Sequence, residues 1–476
     1  MSKIENILLL SVEDLNDWIS PLGGHPDAYT PNMARLAKRA FSFEAAYAAS
    51  PACSPSRTAT LFGQGPWRNG IYGNEQSWNM AYPEGKRLSI AGRAREAGWR
   101  TVMAGKVYHE GKSGQDPEDW DVMHPRANEE FPPVSRAAKE GRFRSSDDFG
   151  PTEAGRISDD AFCDAMIAEM KAGATKQFWA HGIYRPHLPF IVPKRFFELI
   201  PDPPRLPRAF GNRAFDAEDD SELLPLPRHA GSMSRRWTGR VLQETGEYTD
   251  FVRAYLASIA YADHLVGRLL DHLDETGLSA STLVVLWSDH GWQFGEKLAF
   301  RKFSLWERSL RVPLMVAGPG IMPGKTQEPV SLLDIYPTLL DVIGGEAPHE
   351  LDGQSLWPIM RGMAGRGYAV SSFRVPNKKA PHRPRISMSV RTEEHRLIKY
   401  FDGTGEFYFH RDDPFERKTL VSGFVKLRDQ DLPKEARELM RRIPDTVLPK
   451  TEKDLPPHKR RWRGPGGSKP VSQKAV

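Results

Sequence analysis

Cysteine is scarce in this 476-residue chain, which contains only Cys53 and Cys163 and therefore has no disulfide framework. Long apolar runs are also lacking. The run Ile7–Leu10 is too short for a membrane span or a signal sequence, and no basic segment with a cleavage site accompanies it. We therefore expect a cytoplasmic protein without a membrane partner. Cys163 lies in Asp159–Lys171, a predicted amphipathic helix, where it is expected to be a buried apolar residue.

The chain body has no marked excess of charge of either sign. The net charge is +5, but the segment Lys450–Val476 carries eight Lys and Arg against two Asp and Glu, so the rest of the chain is close to neutral. This basic segment contains proline and glycine and few apolar residues, which is typical of a flexible arm. No basic stripe is visible in the body, so we expect no nucleic-acid partner.

Apolar runs alternate with helical patterns along most of the chain, and this alternation ends at about residue 365. Predicted strands and helices of the first part include Asn6–Val12, Leu88–Ala97, Arg100–Ala104, Gln177–Ile183, Phe251–Glu275, Thr282–Ser288 and Ser331–Ile343. This alternation predicts an α/β fold with a large, mostly parallel sheet between helices. Short strands at Ser387–Arg391, Arg396–Phe401 and Glu406–His410 predict a small antiparallel subdomain. We therefore divide the chain into a main domain, 1–365, a small C-terminal subdomain, 366–445, and a basic tail, 446–476.

Acidic residues follow the two strongest predicted strands. Glu13 and Asp14 come directly after the first run, and Asp289 and His290 end the second. Ligands of such sheets bind at the carboxyl ends of the strands, and carboxylates gathered there need a cation. Oxygen ligands with one histidine suit Ca²⁺, Mg²⁺ or Mn²⁺ better than structural Zn²⁺. Each pair alone would be an ordinary polar strand end, but together they predict a metal site.

Cys53 opens a predicted helix. Pro55 suits the first turn, and Arg57 lies one turn after Cys53 on the same face. The N-terminus of a helix favours an anion, so Cys53 is a candidate thiolate nucleophile.

Four further basic residues are candidates for binding an anion: Lys106, His109, His187 and Lys302. Lys106 and His109 follow a short predicted strand and would also lie at its carboxyl end. Each of the four, taken alone, is more often a solvated or structurally satisfied side chain.

The string Cys53-Ser54-Pro55-Ser56-Arg57 has the form C-x-P-S-R, at which type I sulfatases convert cysteine to formylglycine. The chain resembles this family, of the alkaline phosphatase superfamily, over most of its length. Motifs in the family's order are Asn6–Asp14, Thr30–Arg39, Cys53–Arg57, Gly105–His109, His181–Pro193, Ser288–Glu296 with Lys302, and Val312–Leu314. Lys106–His109 and Arg185–Phe190 are most similar to iduronate-2-sulfatase-like members, and choline-sulfatase-like members come next.

The resemblance implies a sulfuric ester hydrolase that acts on sugar or alkyl sulfates. By this resemblance, the metal ligands are Glu13, Asp14, Asp289, His290 and Cys53. Cys53 is also implied to be converted to formylglycine, and Arg57 to orient it. The residues implied to bind sulfate are Lys106, His187 and Lys302, and His109 is implied to transfer a proton. Arg185 is expected to bind a carboxylate of the substrate. The implied cofactors are formylglycine and one divalent cation, Ca²⁺, with Mn²⁺ or Mg²⁺ as alternatives. The expected partners are a small sulfated substrate, a formylglycine-generating enzyme and a second copy of the chain in a homo-oligomer.

Two positions depart from the family pattern. Glu13 stands where the family usually has aspartate, and Leu61–Gln64 reads Leu-Phe-Gly-Gln in place of Leu-Thr-Gly-Arg. Two alternatives are therefore kept. One is a phosphonate monoester or phosphodiester hydrolase of the same superfamily, and the other is a non-catalytic anion-binding protein with an unmodified Cys53.

Overall fold

The computed structural model of the protein describes residues 4–109, 116–125, 134–142, 147–171, 174–207, 238–375, 385–421, 426–428, 430 and 432–451. The strands in this part of the chain are β1 (Asn6–Val12), β2 (Ala40–Phe43), β3 (Ala46–Tyr47), β4 (Arg100–Gly105), β5 (Val122–Pro125), β6 (Phe149–Thr152), β7 (Gln177–Ile183), β8 (Phe190–Pro193), β9 (Thr282–Trp287), β10 (Gln293–Phe294), β11 (Phe300–Arg301), β12 (Arg311–Val312), β13 (Leu314–Ala317), β14 (Gly324–Thr326), β15 (Val330–Ser331), β16 (Tyr368–Arg374), β17 (Ile386–Thr392), β18 (His395–Lys399) and β19 (Gly405–Phe409). The α-helices are α1 (Pro31–Ala37), α2 (Cys53–Phe62), α3 (Pro66–Asn69), α4 (Ile90–Glu96), α5 (Arg136–Lys139), α6 (Ser158–Glu169), α7 (Lys194–Phe197), α8 (Thr238–Thr245), α9 (Tyr248–Glu275), α10 (Glu307–Leu310), α11 (Ile335–Ile343), α12 (Trp357–Met360) and α13 (Lys434–Met440).

The main sheet contains eight strands in the order β14-β2-β13-β9-β1-β7-β4-β5. Strand β13 is antiparallel to its neighbours β9 and β2, and the other neighbouring pairs are parallel. The central strand β1 begins beside both β7 and β9, since Asn6 is paired with Gln177 and with Thr282. Because these three strands run parallel and in step, their carboxyl ends lie at one edge of the sheet. The predicted large, mostly parallel sheet is confirmed.

Side chains of β1 alternate between two hydrophobic cores, one on each face of the sheet. Leu8 and Leu10 pack into the core that contains most of α9, whereas Ile7 and Leu9 pack into the core that contains α4 and α11. All seven residues of β1 are buried. A strand covered on both faces needs apolar side chains at successive positions, which explains why β1 reads as a continuous run.

A second, four-stranded antiparallel sheet has the order β16-β17-β18-β19. Three of its strands were predicted from the sequence, and β16 was not. Buried ion pairs join this sheet to the main domain, since Arg396 pairs with Glu307 and Lys297 Nζ lies 3.4 Å from Glu406 Oε2. The predicted small antiparallel subdomain is confirmed as an architecture, while the boundaries at 365 and 445 stay predictions.

Three further sequence predictions have outcomes in the structure. Cys163 is fully buried on α6, and burial raises the pKa of its thiol to about 12, as expected for an inert apolar residue. Among the described residues, no helix is long and apolar enough to cross a membrane. Within the predicted basic tail, residues 446–451 are described, and 452–476 lie outside the described residues.

Candidate active site and metal centre

The ends of β1 and β9 bring the predicted acidic residues together. The backbone N–H of Asp14 donates to Asp289 Oδ1 at 3.1 Å, and the N–H of Leu15 donates to Ser288 Oγ at 3.0 Å. Asp14 has φ of 56°, in the left-handed region that costs a side-chain-bearing residue energy. The Tyr255 hydroxyl donates to Asp14 O at 2.8 Å, which adds a contact that holds this turn. The predicted meeting of the two strand ends is therefore observed.

Helix α2 begins at Cys53, as predicted, and all ten of its residues are buried. Its first turn is held by side chains from elsewhere. The N–H of Ser54 donates to Asn74 Oδ1 at 3.0 Å, and the Ser54 hydroxyl donates to Gln76 O at 2.7 Å. The Ser56 hydroxyl donates to Asp289 O at 2.5 Å, which joins the helix directly to the end of β9. These contacts fix Cys53 over the carboxyl edge of the sheet.

Cationic groups surround the Cys53 sulfur. Lys302 Nζ lies 2.9 Å from Cys53 Sγ and 2.8 Å from Asp14 Oδ1, and His290 Nε2 lies 3.2 Å from the same sulfur. Burial acts to raise the pKa of Cys53, but Lys302 and His290 outweigh it, so that the pKa lies well below its usual value. The environment at this position therefore stabilises an anion.

Arg57 connects three parts of the site. Its Nε donates to Asp289 Oδ2 at 3.0 Å, and its Nη1 donates to the carbonyls of Lys106 and Val107 at 2.7 Å and 3.0 Å. The guanidinium is 1% exposed, so these interactions are shielded from water. Arg57 thereby fixes the orientation of Asp289 and the position of the segment that follows β4.

Lys106 reaches the site because glycines allow a close approach of two strand ends. A Cβ on Gly105 or on Gly182 would collide with the backbone of the other segment, and Gly105 has φ of 74°. Lys106 Nζ forms a buried ion pair with Glu13 Oε1. Burial raises the pKa of Glu13 to about 7, although Lys106 and His187 act to lower it.

Two buried carboxylate oxygens at this point have no hydrogen-bond partner, Glu13 Oε2 and Asp14 Oδ2. Unpaired oxygens of this kind are costly in a buried site unless a cation or a donor reaches them. Two overlapping sets have ligand atoms within 4.8 Å of one another: Glu13, Asp14, Cys53 and His187, and Asp14, Cys53, Asp289 and His290. The residues fit an oxygen-rich divalent cation site.

The three histidines at this cluster differ in their exposure to solvent. His187 Nε2 lies 3.8 Å from Asp14 Oδ2 and 3.9 Å from Glu13 Oε1, and its side chain is 25% exposed. Burial lowers the pKa of His109, while a hydrogen bond with Cys53 acts in the opposite direction. His290 is fully buried, and Asp289 outweighs the effect of burial to raise its pKa to about 9. His187 therefore faces both the carboxylates and the solvent.

Arg185, which is expected to bind a carboxylate of the substrate, is fully buried. Its Nε donates to Ile191 O at 3.2 Å, and its guanidinium carbon lies 5.2 Å from the centre of the Tyr184 ring. Its part in substrate binding stays a prediction.

The structure brings in residues that the sequence did not indicate. Tyr255, on α9, binds the backbone at Asp14, and Asn74 and Gln76 hold the start of α2. Tyr255 reads only as part of an apolar helix face, and Asn74 and Gln76 lie in a turn without periodicity. No signal in the sequence distinguishes them from ordinary helix and loop residues.

Comparison with known proteins identifies the family to which the chain belongs. The family model described as "Sulfatase" matches residues 5–345, and that described as "N-sulphoglucosamine sulphohydrolase, C-terminal" matches residues 295–442. A protein named "Sulfatase" from Formosa agariphila is 30% identical over 438 residues, which cover 86% of this chain and 82% of that protein. A "Choline-sulfatase" from Rhizobium meliloti is 30% identical over 380 residues, with 75% and 72% covered. Proteins named "Iduronate 2-sulfatase" also match.

Comparison with a solved structure shows a shared fold. The structure of BT4656 in complex with its substrate D-glucosamine-2-N,6-O-disulfate aligns with a TM-score of 0.68 and 20% identity, covering 95% of this chain and 98% of that one. At this identity the likeness shows the fold, which is of the alkaline phosphatase type. The family model covers well over half of the chain, and its relatives match across most of their length. The chain is an enzyme of the sulfatase family.

Proposed function

We propose that this protein hydrolyses sulfate monoesters of sugars or alkyl alcohols, with Cys53 converted to formylglycine as the nucleophilic residue. The observation that carries the proposal is the position of the Cys53 sulfur. It lies at a buried helix start, within 2.9 Å of Lys302 Nζ and 3.2 Å of His290 Nε2. Charge that develops on a sulfate group at this point would meet the Lys302 ammonium group, which is already in place.

The metal would be held by Glu13, Asp14, Asp289 and His290, together with the side chain derived from Cys53. The two unpaired oxygens of Glu13 and Asp14 support this assignment. We propose Ca²⁺, with Mn²⁺ or Mg²⁺ as alternatives, because most of the donors are carboxylate oxygens. When bound, the cation supplies Lewis-acid chemistry that makes a neighbouring hydroxyl more acidic.

Formylglycine supplies a hydrated aldehyde whose hydroxyl can attack sulfur. The side chains around it have distinct proposed tasks. Lys302 and Lys106 hold the sulfate oxygens, and both are held by carboxylates of the β1 turn. His187, which is partly exposed, donates a proton from Nε2 to the leaving oxygen. Burial lowers the pKa of His109, which favours its neutral form, so we propose that it accepts a proton near Cys53.

Mass measurement of the peptide that contains Cys53 tests the nucleophile. In protein from a host with a formylglycine-generating enzyme, we expect the mass of the formylglycine form. Full activity with an intact thiol would contradict the proposal. An intact thiol with no activity would favour the alternative of an anion-binding protein.

The ratio of kcat/KM for sulfate monoesters to kcat/KM for phosphonate monoesters and phosphodiesters tests the substrate class. We expect this ratio to exceed one, and the reverse order would favour the alternative hydrolase of the same superfamily. A cytoplasmic location and a homo-oligomeric state stay predictions.

Glu13→Asp is expected to keep catalysis while changing the metal preference. The shorter side chain withdraws its carboxylate from Lys106 but remains at the same strand end. Glu13→Gln, which keeps the length and removes the charge, should lower metal affinity by about 10- to 100-fold. Metal content by elemental analysis and activity across a series of divalent ions provide the measurements. Unchanged metal content and affinity in Glu13→Gln would show that Glu13 is not a ligand.

A further inference from the structure

Strand β16 runs beside the segment that leads to Cys53. The Ser371 hydroxyl donates to Ala48 O at 2.6 Å, and the N–H of Ser372 donates to Ala49 O at 2.9 Å. Residue numbers rise together along the two segments, so they are parallel. The contacts reach Ser372 and Ala49, so they end two residues before Arg374, the last residue of β16, and four residues before Cys53.

Two short chains of contacts connect the end of β16 with the active site. The ring of Phe373 lies 6.0 Å from the ring of Phe303, the residue after Lys302. On the other side, Arg374 Nη2 forms an ion pair with Glu75 Oε1. Glu75 follows Asn74, whose side chain accepts from the first turn of α2. The end of β16 therefore contacts the residue after Lys302 through Phe373 and the residue after Asn74 through Arg374.

The charge of Arg374 is incompletely compensated. Its side chain is only 18% exposed, and its Nε is buried without a hydrogen-bond partner. Its ion-pair partner Glu75 is 56% exposed, so that carboxylate is largely in contact with water. Burial lowers the pKa of the Arg374 guanidinium. The buried Arg57 behaves differently, because Asp289 and Glu13 outweigh burial there and raise its pKa. A buried guanidinium with an unused donor favours the arrival of another anion.

We propose that Arg374 binds a second anionic group of the substrate, a carboxylate or a second sulfate on the sugar whose scissile sulfate lies at Cys53. This inference rests on the proposed function. A guanidinium offers a planar set of donors that matches an oxyanion with two oxygens, and displacement of Glu75 would free Nη2 for such a group. Glu75, being exposed, can move aside when the substrate anion arrives. The substrate class would then be sugars with at least two acidic groups.

The test compares three substrates in the matured, metal-loaded enzyme: D-glucosamine-2-N,6-O-disulfate, a uronate 2-sulfate and an aryl sulfate with an uncharged ring. In Arg374→Met, we expect KM for at least one doubly acidic substrate to rise about 10- to 100-fold relative to KM for the aryl sulfate. An effect on the disulfate alone identifies a second sulfate as the ligand, and an effect on the uronate alone identifies a carboxylate. Arg374→Lys should restore part of the loss.

Arg385→Met is the matched control, since Arg385 lies beside the same end of the hairpin but stacks on Phe401 at 5.3 Å. It should leave the ratio of KM values unchanged. Glu75→Gln should act in the opposite direction to Arg374→Met and lower KM for the doubly acidic substrate. Equal losses on all three substrates in Arg374→Met, or the same loss in Arg385→Met, would overturn the inference. No turnover of any sulfate ester by the matured wild-type enzyme would instead contradict the proposed function.

Discussion

Cys53→Ala is expected to lower kcat for sulfate esters by about 10⁴-fold or more, while the protein remains folded. The side chain at this position lies where Lys302 and His290 meet, and alanine offers no atom that can be converted to a nucleophile. The loss of a buried sulfur should cost little stability, because Lys302 keeps its contact with Asp14. Steady-state kinetics and a thermal unfolding midpoint measure the two effects.

Cys163→Ala provides the matched control for this experiment. Cys163 is also fully buried, but it lies on α6, where its sulfur is 3.9 Å from Leu265 O. We expect kcat close to that of the wild type and a loss of about 1 kcal/mol of stability from the small cavity. Appreciable activity in Cys53→Ala, or a comparable loss in Cys163→Ala, would contradict the assignment of Cys53 as the nucleophilic position.

Asp289→Asn is expected to weaken metal binding by more than about 100-fold and to lower kcat to a similar degree. Asp289 accepts from Arg57 Nε and from the backbone N–H of Asp14, so its charge serves both the arginine and the proposed cation. Asparagine preserves the shape but removes the negative charge from a site that already holds Lys302 and Arg57. Isothermal titration with Ca²⁺, elemental analysis and kinetics measure the outcome.

Asp263→Asn is the control for a buried carboxylate without a proposed metal. Asp263 Oδ1 accepts from the N–H of Met33 at 2.7 Å, and its other oxygen accepts from the N–H of Asn32, at the start of α1. We expect a loss of about 1 kcal/mol of stability with unchanged metal content. Normal metal affinity in Asp289→Asn would remove this residue from the proposed centre.

The sequence was most informative where elements are covered on both faces or end abruptly. Strands β1 and β7 begin and end where they were predicted, because the two cores of the main sheet require continuous apolar runs. The predicted helix over Phe251–Glu275 begins three residues earlier, at Tyr248, and ends at the same residue. By contrast, β13 is antiparallel within a parallel sheet, and β16 was not predicted at all. The direction and partner of a short strand depend on contacts far along the chain, which local periodicity does not record.

At the candidate active site, too, local patterns predicted some residues and gave no signal for others. Polar residues directly after two strong strands predicted that Glu13, Asp14, Asp289 and His290 would meet, and the structure places them together. Lys106, His109, His187 and Lys302 were selected by resemblance, since a single basic residue has no distinguishing pattern. The structure places Lys106 and Lys302 in ion pairs with the β1 turn.

By itself, the sequence determined the class of fold, and it led to the proposed edge of the sheet for the chemistry and to the proposed nucleophilic position. These follow from local properties: apolar periodicity, charges at strand ends and one short motif. Tertiary structure alone decided that Arg57 binds Asp289, that Tyr255 supports Asp14 and that Ser371 of β16 binds Ala48 in the segment before Cys53. Each of these contacts joins residues more than 200 positions apart, and only packing of the whole chain determines which distant side chains become neighbours.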